Sequence, residues 1–66
     1  MLPSNEHERT IALVIDDWAA YHSSFNYAAL PAIAGKLNFK VSSSDSEFLV
    51  SYLKWRMDNP INKAAR

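Results

Sequence analysis

Apolar residues recur at helical spacing in three stretches of this chain, and polar or turn-forming residues separate them. In the first stretch, Ile11, Val14, Ile15 and Trp18 fall on one side of a helix, and Tyr21 and His22 extend that side. Glu6, Arg9, Asp16 and Asp17 fall on the other, with Leu13 and Ala20 set among them. Asn5 followed by Glu8 is a capping-box pattern, and acidic residues in a first turn suit the helix dipole. A helix over about 5–22 is predicted. Ser23-Ser24-Phe25-Asn26 then reads as a turn, with Asn26 as the next cap.

The second helix is short. Pro31 lacks an amide donor and disfavours helical geometry at Leu30, so the helix starts either near 27, through an irregular turn, or at Pro31, ending near 37. Leu30, Ile33 and Leu37 supply its core face, while Ala28, Ala29, Ala32, Ala34 and Gly35 allow close packing against the other two helices. Asn38 suits a left-handed termination. Residues 38–44 form a short extended or loop segment, running from Phe39-Lys40-Val41 into a serine-rich stretch.

Ser44 with Glu47 suggests a second capping box, opening a helix over about 45–58 that Asn59-Pro60 stops; residues 61–66 are expected to fray. Phe48, Tyr52 and Trp55 line one face, and Leu49, Val50, Leu53 and Met57 the adjoining one. Together they cover roughly 220° of the circumference, against the 100° or somewhat more of an ordinary surface helix. A competing pattern exists: Leu37, Phe39 and Val41, then Phe48, Val50 and Tyr52, alternate as strands of a hairpin do. Leu49, Leu53, Lys54 and Met57 break that alternation, and β-branched residues are few, so helix is preferred.

The expectation is one all-α domain over 1–66, a compact three-helix bundle. A chain of 66 residues without cysteine has neither disulfides nor thiolate-bound zinc to reinforce it. Its apolar and aromatic content argues against disorder. The longest apolar run, Ile11 to Ile15, is too short to span a bilayer, and the first residues lack a secretory pattern, so a cytoplasmic location is the default. Net charge is zero but unevenly divided: residues 1–35 carry −3 and residues 36–66 carry +3. Such asymmetry fits either a basic surface for nucleic acid or two halves that attract each other, within a chain or between chains; zero net charge favours the second, since phosphate binding usually needs a basic excess.

No residue set announces a chemistry. Asp16 and Asp17 are neighbours and diverge by roughly 100° on a helix, so their carboxylates do not converge. His7 and His22 lie near opposite ends of the first helix, and His22 reads as a half-buried packing residue beside Trp18. One glycine cannot build a phosphate-cradling loop, and no nucleophile elbow or metal-ligand pair occurs. The serine run reads as loop and cap. Neither an enzyme, a cofactor, a metal nor a small-molecule substrate is expected.

Arg56 sits inside the apolar arc, placed to lie over Tyr52 or to pair with an acid. The aliphatic face of Leu49, Val50, Leu53, Arg56 and Met57 is expected to meet another protein or a second copy, with Phe48, Tyr52 and Trp55 turned to the core; the reverse assignment is the alternative, since aromatic residues also anchor interfaces. Burying four such aliphatic side chains contributes about 1.5–3 kcal/mol each, together comparable to the net stability of a small domain. The expected function is a non-catalytic interaction module, a small regulator, inhibitor or adaptor of the kind found in bacteria and their phages. A second reading comes from Ile33-Ala34-x-x-Leu37, which resembles the first helix of a helix-turn-helix unit, with the helix from Asp45 as its reader. That resemblance implies a DNA-binding regulator whose Lys36, Lys40, Lys54, Arg56 and Lys63 approach phosphates.

Overall fold

Asn5 opens the first helix as the pattern requires: its side chain accepts a 2.8 Å bond from the Glu8 amide. The other half of the expected box differs. The Glu8 carboxylate reaches one residue further back, accepting from both the amide and the hydroxyl of Ser4 at 2.9 and 2.8 Å. The computed structural model describes residues 2–22 and 25–61. Within them lie α1 (Glu6–Tyr21), a single 3₁₀ turn (Tyr27–Ala29), α2 (Leu30–Lys36) and α3 (Ser43–Asp58), with no strand. The domain is all-α and three-helical. Ser23, Ser24, the tail from 62 and Lys63 lie outside the described residues.

Both readings of the Pro31 region hold together. Asn26 caps the 3₁₀ turn through the Ala28 amide at 2.8 Å, and α2 follows directly with Pro31 in its first turn, where no amide donor is needed. Asn38 is not a left-handed cap, since no described residue has positive φ; α2 ends instead at Leu37 in extended geometry.

The α3 cap is shifted by two residues. Ser42, not Ser44, is the N-cap: its hydroxyl accepts from the Asp45 amide at 3.1 Å, and the Asp45 carboxylate accepts from the Ser42 amide at 3.3 Å. Several serines here are equivalent as caps, and the acid three residues on decides between them. Asp45 turns inward to a partner on α1 described below, whereas Glu47 points to solvent.

α1 packs chiefly on α3, and α2 leans mainly on α1. Ile11, Ile15, Ile33 and Leu53 are completely buried, and Ala12, Ala29, Leu37, Leu49 and Tyr52 surround them. Two expectations for α1 change. Tyr21 is 72% exposed and His22 is exposed, because the helix ends there and the core has rotated toward Ala12. His22 nevertheless keeps its place beside Trp18, its ring stacked on the indole at 3.7 Å with 4° between planes.

The larger correction concerns α3. Leu53 has no exposed surface and Leu49 only 5%, so these two residues, expected at a partner interface, belong to the core. The seam between the aliphatic and aromatic faces points inward. α1 and Ile33 cover the inner half of each face, including Tyr52, and leave the outer edges less covered. Val50 is exposed on one edge; Phe48 and Trp55 are half-buried on the other, and Met57 is half-buried too. The chain therefore shields most of this helix by itself.

Candidate interaction surface

Two polar ties set the relation of α1 to α3. Near the C-terminal end of α3, the Tyr52 hydroxyl donates to the Asp16 carboxylate at 3.0 and 3.1 Å, and Arg56 Nε donates to the same carboxylate at 3.0 Å. The guanidinium also donates to the Asn59 carbonyl at 3.0 Å and lies 4.5 Å above the Trp55 ring. Burial pushes the Tyr52 phenol up; the hydrogen bond from Arg56 opposes this, the Asp16 carboxylate adds to it, and the net direction is upward. Burial pulls Arg56 down, but Tyr52 and Asp16 outweigh it and hold the guanidinium charged. Arg56 thus fills both roles its place in the arc suggested: it pairs with an acid and lies over the Tyr52 ring at 5.9 Å. Asp16, read from sequence as a solvated side chain, is its partner. Asp17 points to solvent, so the two aspartates do diverge.

At the other end, His7 Nδ1 lies 3.1 Å from Asp45 Oδ2, and its ring stacks on Phe39 at 4.0 Å with 8° between planes. Asp45 is a buried charged side chain. Burial pushes its carboxyl up, but the Ser42 hydroxyl and amide together with His7 outweigh that and hold it below its ordinary value. One imidazole therefore joins α1, the 37–42 connection and the first turn of α3. Sequence gave no sign of this, because His7 and Asp45 stand 38 positions apart and meet only through the packing of α1 on α3.

Between α2 and α3 the surface opens into a groove of about 320 Å³, lined by Leu30, Pro31, Ala34, Val41, Ser46, Leu49 and Val50. Its walls are almost wholly apolar. The small side chains of α2 were expected to bring it close to both other helices; against α3 they do the opposite, since Ala34 and Val50 are too short to fill the space. The surface continues over the outer side of the 3₁₀ turn and α2. From Tyr27 to Gly35 no residue is charged, and Tyr27, Ala28, Pro31, Ala32, Ala34 and Gly35 are exposed.

Of the residues expected to meet a partner, Val50 alone is exposed and lines this groove. Arg56 and Met57 instead border a second hollow of about 270 Å³ with Ala19, His22, Phe25, Pro60 and Ile61. The cations of the nucleic-acid reading are dispersed. Arg56 is tied to Asp16, and Lys36 Nζ sits 5.9 Å from the Trp18 ring. Lys40 borders a polar hollow beside His7 and Asp45, and Lys54 projects from α3 about 200° round the helix from Arg56. Among the described residues no three histidines or acids gather as a metal site, and no helix is long and apolar enough to cross a membrane.

Fold and surface together define a small three-helix domain with an apolar cleft between its second and third helices. Compared with protein families, curated proteins and solved structures, the chain matches none.

Proposed function

We propose that this chain is a non-catalytic, cytoplasmic protein–protein interaction module, a small regulator, inhibitor or adaptor, whose contact surface is the α2–α3 groove. One observation carries the reading: an apolar cleft continues into an exposed helix face without a charge from Tyr27 to Gly35, in a chain of which 21% is charged. Apolar surface of this kind gains free energy when another molecule removes it from water, and charge is typically depleted at the centre of interfaces. The groove suits an inserted aliphatic side chain carried on a helix, since its walls offer Ser46 as their one polar side chain.

The test is affinity capture from the cell of origin at high salt, with the wild-type chain and Val50→Asp as baits. A protein held by the wild type and lost from Val50→Asp supports the reading. Equal recovery by both baits overturns it. A parallel gel-shift with duplex DNA at low salt separates the helix-turn-helix alternative, because binding through phosphates weakens steeply with added salt and apolar contact does not.

A further inference from the structure

On the outer face of α1, Leu13 is 67% exposed, with Arg9 one turn before it and Asp17 one turn after. On the outer edge of α3, Val50 is 44% exposed at the rim of the groove, with Glu47 one turn before it and Lys54 one turn after. The two stripes share one design with the charges reversed: positive, aliphatic, negative on α1; negative, aliphatic, positive on α3. All four charged side chains are exposed, and none is ion-paired within the described residues.

We propose that the occupant of the α2–α3 groove is the α1 outer face of a second copy of this chain, with Leu13 entering beside Val50. The inference rests on the interaction reading above and names its partner. Charge selects the direction. With the helices parallel and Leu13 opposite Val50, Arg9 meets Glu47 and Asp17 meets Lys54; antiparallel, each charge meets its like. Such exposed pairs add little affinity but penalise the wrong orientation. The groove accommodates an aliphatic side chain, and Leu13 is the exposed aliphatic residue on α1.

Knob and groove lie on different parts of the surface, because Leu13 points away from the core that α2 and α3 cover. The contact is therefore heterologous, joining copies head to tail rather than across a two-fold axis. That geometry has a distinctive signature. Leu13→Asp loses the knob and keeps the groove; Val50→Asp loses the groove and keeps the knob.

The experiment is solution mass by light scattering and sedimentation over a wide concentration range, with near-ultraviolet circular dichroism verifying that each variant is folded. The wild type is expected to exceed the monomer mass and to grow with concentration. Each variant alone is expected to stay monomeric, and an equimolar mixture of the two to form a 1:1 dimer that grows no further. A strictly monomeric wild type, a variant that still associates, or a mixture that stays monomeric overturns the proposal. A second pair, Asp17→Lys and Lys54→Asp, alters charge alone: each should weaken association by roughly two- to fivefold, and the mixture should recover it at low salt. Absence of that recovery rejects the parallel register. If the wild type is monomeric while capture still depends on Val50, only this self-docking fails and the interaction reading stands.

Discussion

Leu53 has no contact with solvent and sits against Ile11, Ile15 and Ile33 at the centre of the bundle. Truncation to alanine should cost about 2–5 kcal/mol, since the lost transfer energy is joined by a cavity that so small a core closes only in part. Chemical denaturation of Leu53→Ala measures this. Leu53→Asp should not fold, because the new carboxylate has no partner at that depth. Both expectations reverse the sequence-based view of Leu53 as a contact residue. Periodicity places a side chain on a helix but does not say which sector of a wide apolar arc turns inward. Here that sector straddles the two faces, so Tyr52 and Leu53 are buried together while Val50 and Phe48 flank them.

For the elements, local chemistry was the more legible part. Asn5, Asn26 and Pro31 do what their positions suggest, and the helix ends fall within two residues of expectation. The α3 cap was ambiguous because the serine run offers several start sites, and the inward partner that selects Asp45 belongs to another helix. Ser42→Ala should therefore cost about 0.5–2 kcal/mol, and Ser44→Ala less than about 0.5 kcal/mol, measured by thermal or urea unfolding. Of the long-range polar pairs only the need of Arg56 for an acid was legible, not which acid, and nothing in the chain links Tyr52 to Asp16 across 36 positions. Tyr52→Phe should cost about 0.5–1.5 kcal/mol through the lost hydroxyl. Combined with Asp16→Asn, its effect should fall short of the sum, because both substitutions break one shared contact. Strict additivity in the double-mutant cycle would show that the tie contributes nothing.

At the scale of the molecule, the uneven charge of the two halves is used partly inside the chain, where Asp16 meets Arg56. The groove was visible in sequence only as a surplus of apolar residues; Leu49 and Val50, both expected at a partner surface, are among the residues that line it. Stability against acid follows from Asp45. Its folded-state pKa lies below the ordinary 3.8, so the folded chain holds its charge at pH values where the unfolded chain has begun to take up the proton. The contribution is complete above the ordinary carboxylate range and disappears as pH falls through the folded value. The urea midpoint of the wild type should drop between about pH 5 and pH 2, and Asp45→Asn should flatten that limb while unfolding more easily at neutral pH. An unchanged acid limb in the variant would remove Asp45 from the account.

Because α1 finds its main partner in α3, across the whole intervening sequence, the first two helices have almost nothing to fold upon by themselves. A nascent chain that has released only α1 and α2 leaves Ile11 and Ile15 covered on the α2 side alone, without Leu49, Tyr52 or Leu53. Acquisition of the native state then waits for the third helix to emerge and close the longest loop in the topology. In living cells, the half-made product should be prey for proteases and chaperones.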